Sequence, residues 1–386
     1  MFRIIPRIAA GYFLVVVLLG VLAQNAFSID PCGDQATFFS VEPLAPADYF
    51  EITPLGAMNP GGHTFPTLHT YMMLTDNEQE AAVYAPGDIT ITNIREDYYL
   101  QDGTTDYFIN FSVCDEVAGY FVHATTLSNE LKALIADICT WEGDALNCSV
   151  SLDHNVSAGT LIAYAGGPDH TTSVALDFGL RDTRTDLIIY NSPGRLVWNY
   201  AEYVVCPYDY FEAGTVKDNL FGKLQVVRTS EPVCGTVDHD IKDTAQGKWF
   251  LAGTEWGTDE SPHMALVPSN KNPLVGVLSI GTSTLDSTAY NFTFTYSGQT
   301  RRHFSQVTSD GNTYCYGPLE DNWGGSKAGY IFLKMTDDRT LKLERVSSGD
   351  CPGSPNGLEF STAALTYVSV QTLGNFGAPT SFAATV

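Results

Sequence analysis

The stretch SVALDFGLRD, Ser173–Asp182, decides how the first half of the chain is read. As a strand it sends Val174, Leu176, Phe178 and Leu180 to one face and Ala175, Asp177 and Gly179 to the other. The first face is a core. The second carries one carboxylate between two residues too small to cover it. Asp177 is therefore either a group that binds something or a solvated side chain on an open sheet.

Its neighbours in sequence read the same way. From Gly61 to about Pro207, short runs of β-branched and aromatic residues alternate with turn signals: AAVYAPGDITITNI (81–94), DYFINFSVC (106–114), GYFVHATTL (119–127) and GTLIAYAGG (159–167). One helix is predicted over Ser128–Ile138, with Ser128 as N-cap and Leu131, Leu134 and Ile135 on one face. Before these runs, residues 29–60 read as an irregular lead-in packed on the first domain. After them, 208–237 reads as a looser connection.

Residues 238–386 form a second β-rich region. AYNFTFTYSG puts Tyr290, Phe292, Phe294 and Tyr296 on one face, and YIFLKMTD and RTLKLERVS follow as a hairpin turning near Asp337-Asp338-Arg339. Its opening, QGKWFLAGT, has a Gly-x-Trp that faintly resembles the lipocalin start, so a β-barrel and a β-sandwich are both expected forms. The fold class is all-β.

With 386 residues the chain can hold two domains with separate cores. A formal charge of −24 argues against nucleic acid or an anionic membrane surface as partner. Arg3 and Arg7 precede an apolar run, Ile8–Ala23, and then Ala26-Phe27-Ser28, the pattern of a secretory signal over residues 1–28. Removing it takes away two arginines and no acids, so the charge moves from −24 to −26. No further membrane span is expected, and the protein is placed outside the cell or in the periplasm.

The cysteines Cys32, Cys114, Cys139, Cys148, Cys206, Cys234, Cys315 and Cys351 suit disulfides in an exported chain. Cys139/Cys148 and Cys315/Cys351 are candidate local pairs. Sequons stand at Asn110, Asn147, Asn155 and Asn291.

Chemistry-bearing residues are few. His63 and His69 sit in GGHTFPTLHTYMML, and His123 lies on GYFVHATTLS, where Phe121 and His123 are expected to share a face. With Asp177 they make a His/His/Asp set whose donors suit zinc in kind. EWGTDESPH (255–263) and REDYYLQDGTTD (95–106) gather carboxylates on expected loops, where calcium is a conceivable ligand. There is no Gly-x-Ser-x-Gly elbow and no phosphate-cradling glycine loop.

Taken in order, VYAPGDITITNI, GYFVHATTLS, VSAGTLIAYAGG and VALDFGLRD resemble the motif series of lysostaphin-type (LytM-like) zinc endopeptidases, over roughly residues 61–181. The resemblance implies a β-sheet groove holding one zinc that polarises a peptide carbonyl and activates water. His69 matches the first zinc histidine of that family and His123 its catalytic histidine. Where the family has an aspartate ligand, this chain has Met73. Where it has His-x-His, this chain has Ala175 and Asp177.

The resemblance leaves His69 and Asp177 as metal ligands, with His63 or His170 as substitutes, and His123 as catalytic residue if the protein is active. The first expectation is a secreted or envelope protein with an eroded zinc set that binds peptide or glycan without cutting it. The alternative is an active zinc metalloendopeptidase, a cell-wall peptide hydrolase using His63, His69 and Asp177. A third reading gives the function to a small apolar ligand inside a C-terminal barrel.

Overall fold

The computed structural model describes residues 30–60, 62–99, 104–136, 147–167, 174–186, 188, 201–254, 260–281, 288–295 and 298–369. Among these the chain is nearly all β, with two antiparallel sheets and two short α-helices. The predicted fold class holds.

The first half contributes β1 (Tyr49–Thr53), β2 (Thr70–Leu74), β3 (Glu80–Tyr84), β4 (Ile89–Tyr99), β5 (Thr104–Ser112), β6 (Val117–Leu127), α1 (Asn129–Ile135), β7 (Asn147–Val156), β8 (Leu161–Gly166), β9 (Ala175–Asp182) and β10 (Val204–Val205). The sheet runs β1-β2-β9-β6-β5-β4-β7, with β10 on β9 and the β3–β8 pair joined to β6. SVALDFGLRD thus becomes a central strand, hydrogen-bonded to β2 on one side and β6 on the other.

Leu176, Phe178 and Leu180 enter the core as expected, where Phe178 packs on Phe121 at 4.8 Å and on Phe39 at 6.1 Å. Val174 does not; it precedes the strand and is 42% exposed. The helix starts at the predicted cap, Ser128 accepting the Leu131 N–H. It buries Leu131 and Ile135 but leaves Leu134 exposed, and Ile138 lies outside the described residues.

Two segments are more ordered than their composition suggested. The lead-in contains β1, and its Phe39, Leu44 and Tyr49 are fully buried. The expected loose connection carries α2 (Thr215–Gln225), whose Leu220 and Leu224 join the same core, and a Cys206–Cys234 disulfide. Polar residues hid this: α2 shows only two core positions, and its packing partner β1 is distant in sequence. Cys32–Cys114 and Cys315–Cys351 are also bonded. Cys148 is disulfide-bonded, while Cys139 lies outside the described residues.

The second half adds β11 (Gly247–Leu251), β12 (Met264–Pro268), β13 (Val275–Ile280), β14 (Thr288–Thr293), β15 (Tyr314–Tyr316), β16 (Leu319–Asp321), β17 (Ser326–Lys327), β18 (Tyr330–Asp337), β19 (Thr340–Val346) and β20 (Leu365–Val368). Strand β11 turns the corner of this sheet: Gly247–Trp249 pair with β12, and Phe250 and Leu251 with β20. The predicted hairpin is β18–β19. Phe292, Phe294, Phe304 and Tyr316 pack on one another at 5.0–5.7 Å in the core of this half. Tyr296 lies outside the described residues.

No helix among the described residues is long and apolar enough to cross a membrane.

Candidate functional site

Asp177 is not solvated. In register it faces Tyr71 of β2 and Val122 of β6, and it is 1% exposed. Its Oδ2 lies 3.1 Å from His69 Nε2 and 3.4 Å from His123 Nε2. The small neighbours do not open the sheet, as the alternation suggested. A Cβ on Gly179 would fall 2.3 Å from Tyr120 Cζ, so Tyr120 lies flat across that glycine and roofs the face. The Tyr120 hydroxyl reaches His69 Nδ1 at 3.2 Å. Around His69 stand the rings of Tyr71, at 4.8 Å, and His63, at 5.6 Å, both edge-on.

His123 departs from strict alternation. Phe121 points into the core, yet His123, two residues on, meets Asp177 on the opposite face. The cause is a bulge: His123 has φ of 66°, the left-handed region, within the step from Phe121 to Ala124 where the β5–β6 register shifts. A strained backbone that re-aims one histidine is a common mark of a functional position.

Asp106 was read as part of an acidic loop. It is instead a buried residue of β5, its Oδ2 2.8 Å from His123 Nδ1. Its position was legible in DYFINFSVC, where Asp106 alternates with the core residues Tyr107, Ile109 and Phe111. No local motif marked it as a partner for His123.

The electrostatics follow from burial. His63 and His69 are held below the ordinary imidazole range, first by desolvation and then by the charge of neighbouring histidines. Burial pushes His123 the same way, but the carboxylates of Asp177 and Asp106 outweigh it and raise His123 to about 9. Burial raises Asp177 to about 7, against the pull of His123. At neutral pH His123 is protonated between Asp106 and an Asp177 that is itself close to half-protonated, with a neutral His69 on the far side of Asp177.

Zinc is the metal the resemblance implies. The donors are right in kind, and two atoms lack partners: His69 Nε2 and Asp177 Oδ1 are buried without a hydrogen bond. The number of converging ligands is wrong. No three ligand atoms from His63, His69, His123 and Asp177 lie within 4.8 Å of one another. A catalytic zinc takes three protein ligands and an open position. The pair His69–Asp177 supplies two, so these residues do not fit a resident zinc.

The positions that could have completed the set are apolar and adjacent: Met73 faces Ala175 directly across β2 and β9. His170 lies outside the described residues. Cys32, Cys114 and Glu116 do cluster, but the two sulfurs are bonded to each other and Glu116 accepts the Cys32 N–H.

No family model and no curated protein matches the chain. Among solved structures, the NMR solution structure of lysostaphin is similar at a TM-score of 0.24 and 8% identity, over 86% of this chain and 92% of that one.

The loop carrying His63 and His69 is held from the second half. The Phe65 N–H donates to Glu260 Oε2 at 2.7 Å, and the Phe65 ring stacks on His263 and packs edge-on against Phe250. Asn322 Nδ2 donates to the Met58 carbonyl, and Asn270 Nδ2 to that of Pro54. On the other side of Tyr120 the sheet face opens into a cavity of about 260 Å³.

Proposed function

We propose that the first half of the chain is a binding groove of the lysostaphin-type peptidase kind that holds a peptide or glycan without hydrolysing it, in a secreted or cell-envelope protein. The observation that carries this reading is the cross-strand pair Met73–Ala175 beside Asp177. An apolar pair stands where a third ligand and a second catalytic histidine are needed, and the remaining carboxylate is engaged by His69 and His123. Export is supported by the signal-like residues 1–28 and by the disulfides. The groove unit extends from the lead-in to about residue 237, since Phe39, Leu220 and Leu224 share its core.

Incubating the purified chain with defined peptides, pentaglycine among them, and following both binding and cleavage by mass spectrometry tests this. Retention without new termini is expected. Chelator-sensitive cleavage overturns the reading.

One observation favours the alternative, a zinc endopeptidase using His63, His69 and Asp177 with His123 as acid or base. It is the unsatisfied His69 Nε2, 3.1 Å from Asp177 Oδ2. That reading requires His63 to turn toward Asp177, and it predicts that His69→Ala abolishes cleavage.

A further inference from the structure

The cavity beside Tyr120 has a chemistry unlike the rest of this acidic chain. It lies over β4, β5, β6 and β9, where the register aligns Asn93, Asn110, Tyr120 and Gly179 in one row across the sheet. The space exists because Tyr120 lies across Gly179, toward His69, and because the next residue of β6 on that face is the small Ala118. Ser112, Thr92 and the exposed Arg181 complete the polar part of the wall.

The amides are pre-oriented. Asn93 Nδ2 donates to Ser149 Oγ and to the Val150 carbonyl, and Asn93 Oδ1 accepts from Asn110 Nδ2 at 3.4 Å. In a chain with 44 acidic residues, no carboxylate lines this cavity among the described residues.

We infer that this cavity is a subsite for one ring of a neutral oligosaccharide; the inference rests on the groove reading above and names its ligand class. Carboxamides and hydroxyls each both donate and accept, which matches vicinal sugar hydroxyls. A volume of about 260 Å³ falls just under the ~300 Å³ at which drug-sized sites begin, room for one ring. An extended peptide commonly docks by adding to a sheet edge, and β4, β5, β6 and β9 are all paired on both sides, so that mode is not offered here. Among the described residues Arg181 is the one cation in the lining, but the field of a chain with net charge −24 disfavours an anionic glycan. Through the Tyr120 hydroxyl, an occupied subsite touches the group that bonds His69.

The test uses the full chain from Ile29, made in a bacterial periplasm so that Asn110 carries no glycan. Cellohexaose, maltohexaose, chitohexaose and pentaglycine are titrated by calorimetry against the native protein, Asn110→Ala and Ser112→Ala, with thermal melts confirming that both variants fold. Binding of one hexasaccharide, weakened at least tenfold in both folded variants, is expected. Pentaglycine binding that both variants weaken, with no sugar bound, overturns the inference but keeps the groove reading. No binding of any probe overturns both. Sugar binding that neither variant changes places the subsite elsewhere and also overturns the inference.

Discussion

His69 Nε2 and Asp177 Oδ2 stand 3.1 Å apart on neighbouring strands, both buried, and yet Nε2 has no hydrogen bond. The contact is held by what surrounds it: Tyr120 on one side of His69, His123 on the far side of Asp177, and a loop anchored by the second half of the chain.

Removing Asp177 therefore leaves a protonated His123 with one carboxylate instead of two, in a buried site. Asp177→Ala is expected to lower unfolding free energy by about 1–3 kcal/mol, less than the cost of orphaning a buried charge, because Asp106 still pairs with His123 and Asp177 is itself buried with a raised pKa. Urea denaturation at pH 7 measures it. An unchanged midpoint would show that Asp177 is not paired as described.

The His123 backbone gives a second, independent test. At φ of 66° an alanine is strained and a glycine is not. His123→Gly and His123→Ala both delete the imidazole, so the difference between them isolates the bulge. The glycine variant is expected to be more stable by about 1 kcal/mol. Equal stabilities would argue for an extended backbone at this residue.

Titration separates the histidines. His123, raised to about 9, contributes stability that is complete below its ordinary pKa and is lost as pH rises through 9. Asp177, raised to about 7, opposes folding increasingly as pH climbs from the ordinary carboxylate range to neutrality. These two act in one direction, whereas His63 and His69, held below the ordinary imidazole range, gain stability as pH rises toward 6.5; above about 6.5 only the first two remain, and the site destabilises the fold from there to about 9. Histidine ring signals in NMR should show one imidazole titrating near 9, moving down in Asp177→Asn, and another, His69, that stays neutral well below 6.5.

How much of this was readable beforehand depended on sequence distance. Period-two alternation in SVALDFGLRD placed Phe178 and Asp177 on their proper faces, because a strand records its own sidedness. Alternation put His123 on the wrong face, since one left-handed residue resets the count and nothing in GYFVHATTLS announces it. Nor could the sequence show that Tyr120 would cover Gly179, or that Phe65 would meet Glu260, 195 residues away. Those contacts join segments with no shared pattern.

The Phe65 anchor makes a prediction about the loop rather than the sheet. Phe65 is 7% exposed, and Phe65→Ala is expected to cost about 3 kcal/mol by leaving a cavity against Phe250 and His263. Hydrogen exchange should quicken across residues 58–69 while the strand core of β6 and β9 keeps its protection. Uniform acceleration of the whole first half would contradict a local anchor.

The central claim is a groove that binds without a resident zinc, and metal content tests it most directly. The chain from Ile29 and its Asp177→Ala variant are purified without chelator, dialysed, and measured by inductively coupled plasma mass spectrometry. Fewer than about one zinc in ten chains, in both proteins, is the predicted result, because two converging protein ligands do not retain the ion. One zinc per chain in the native protein, lost in the variant, would make Asp177 a metal ligand and contradict the account.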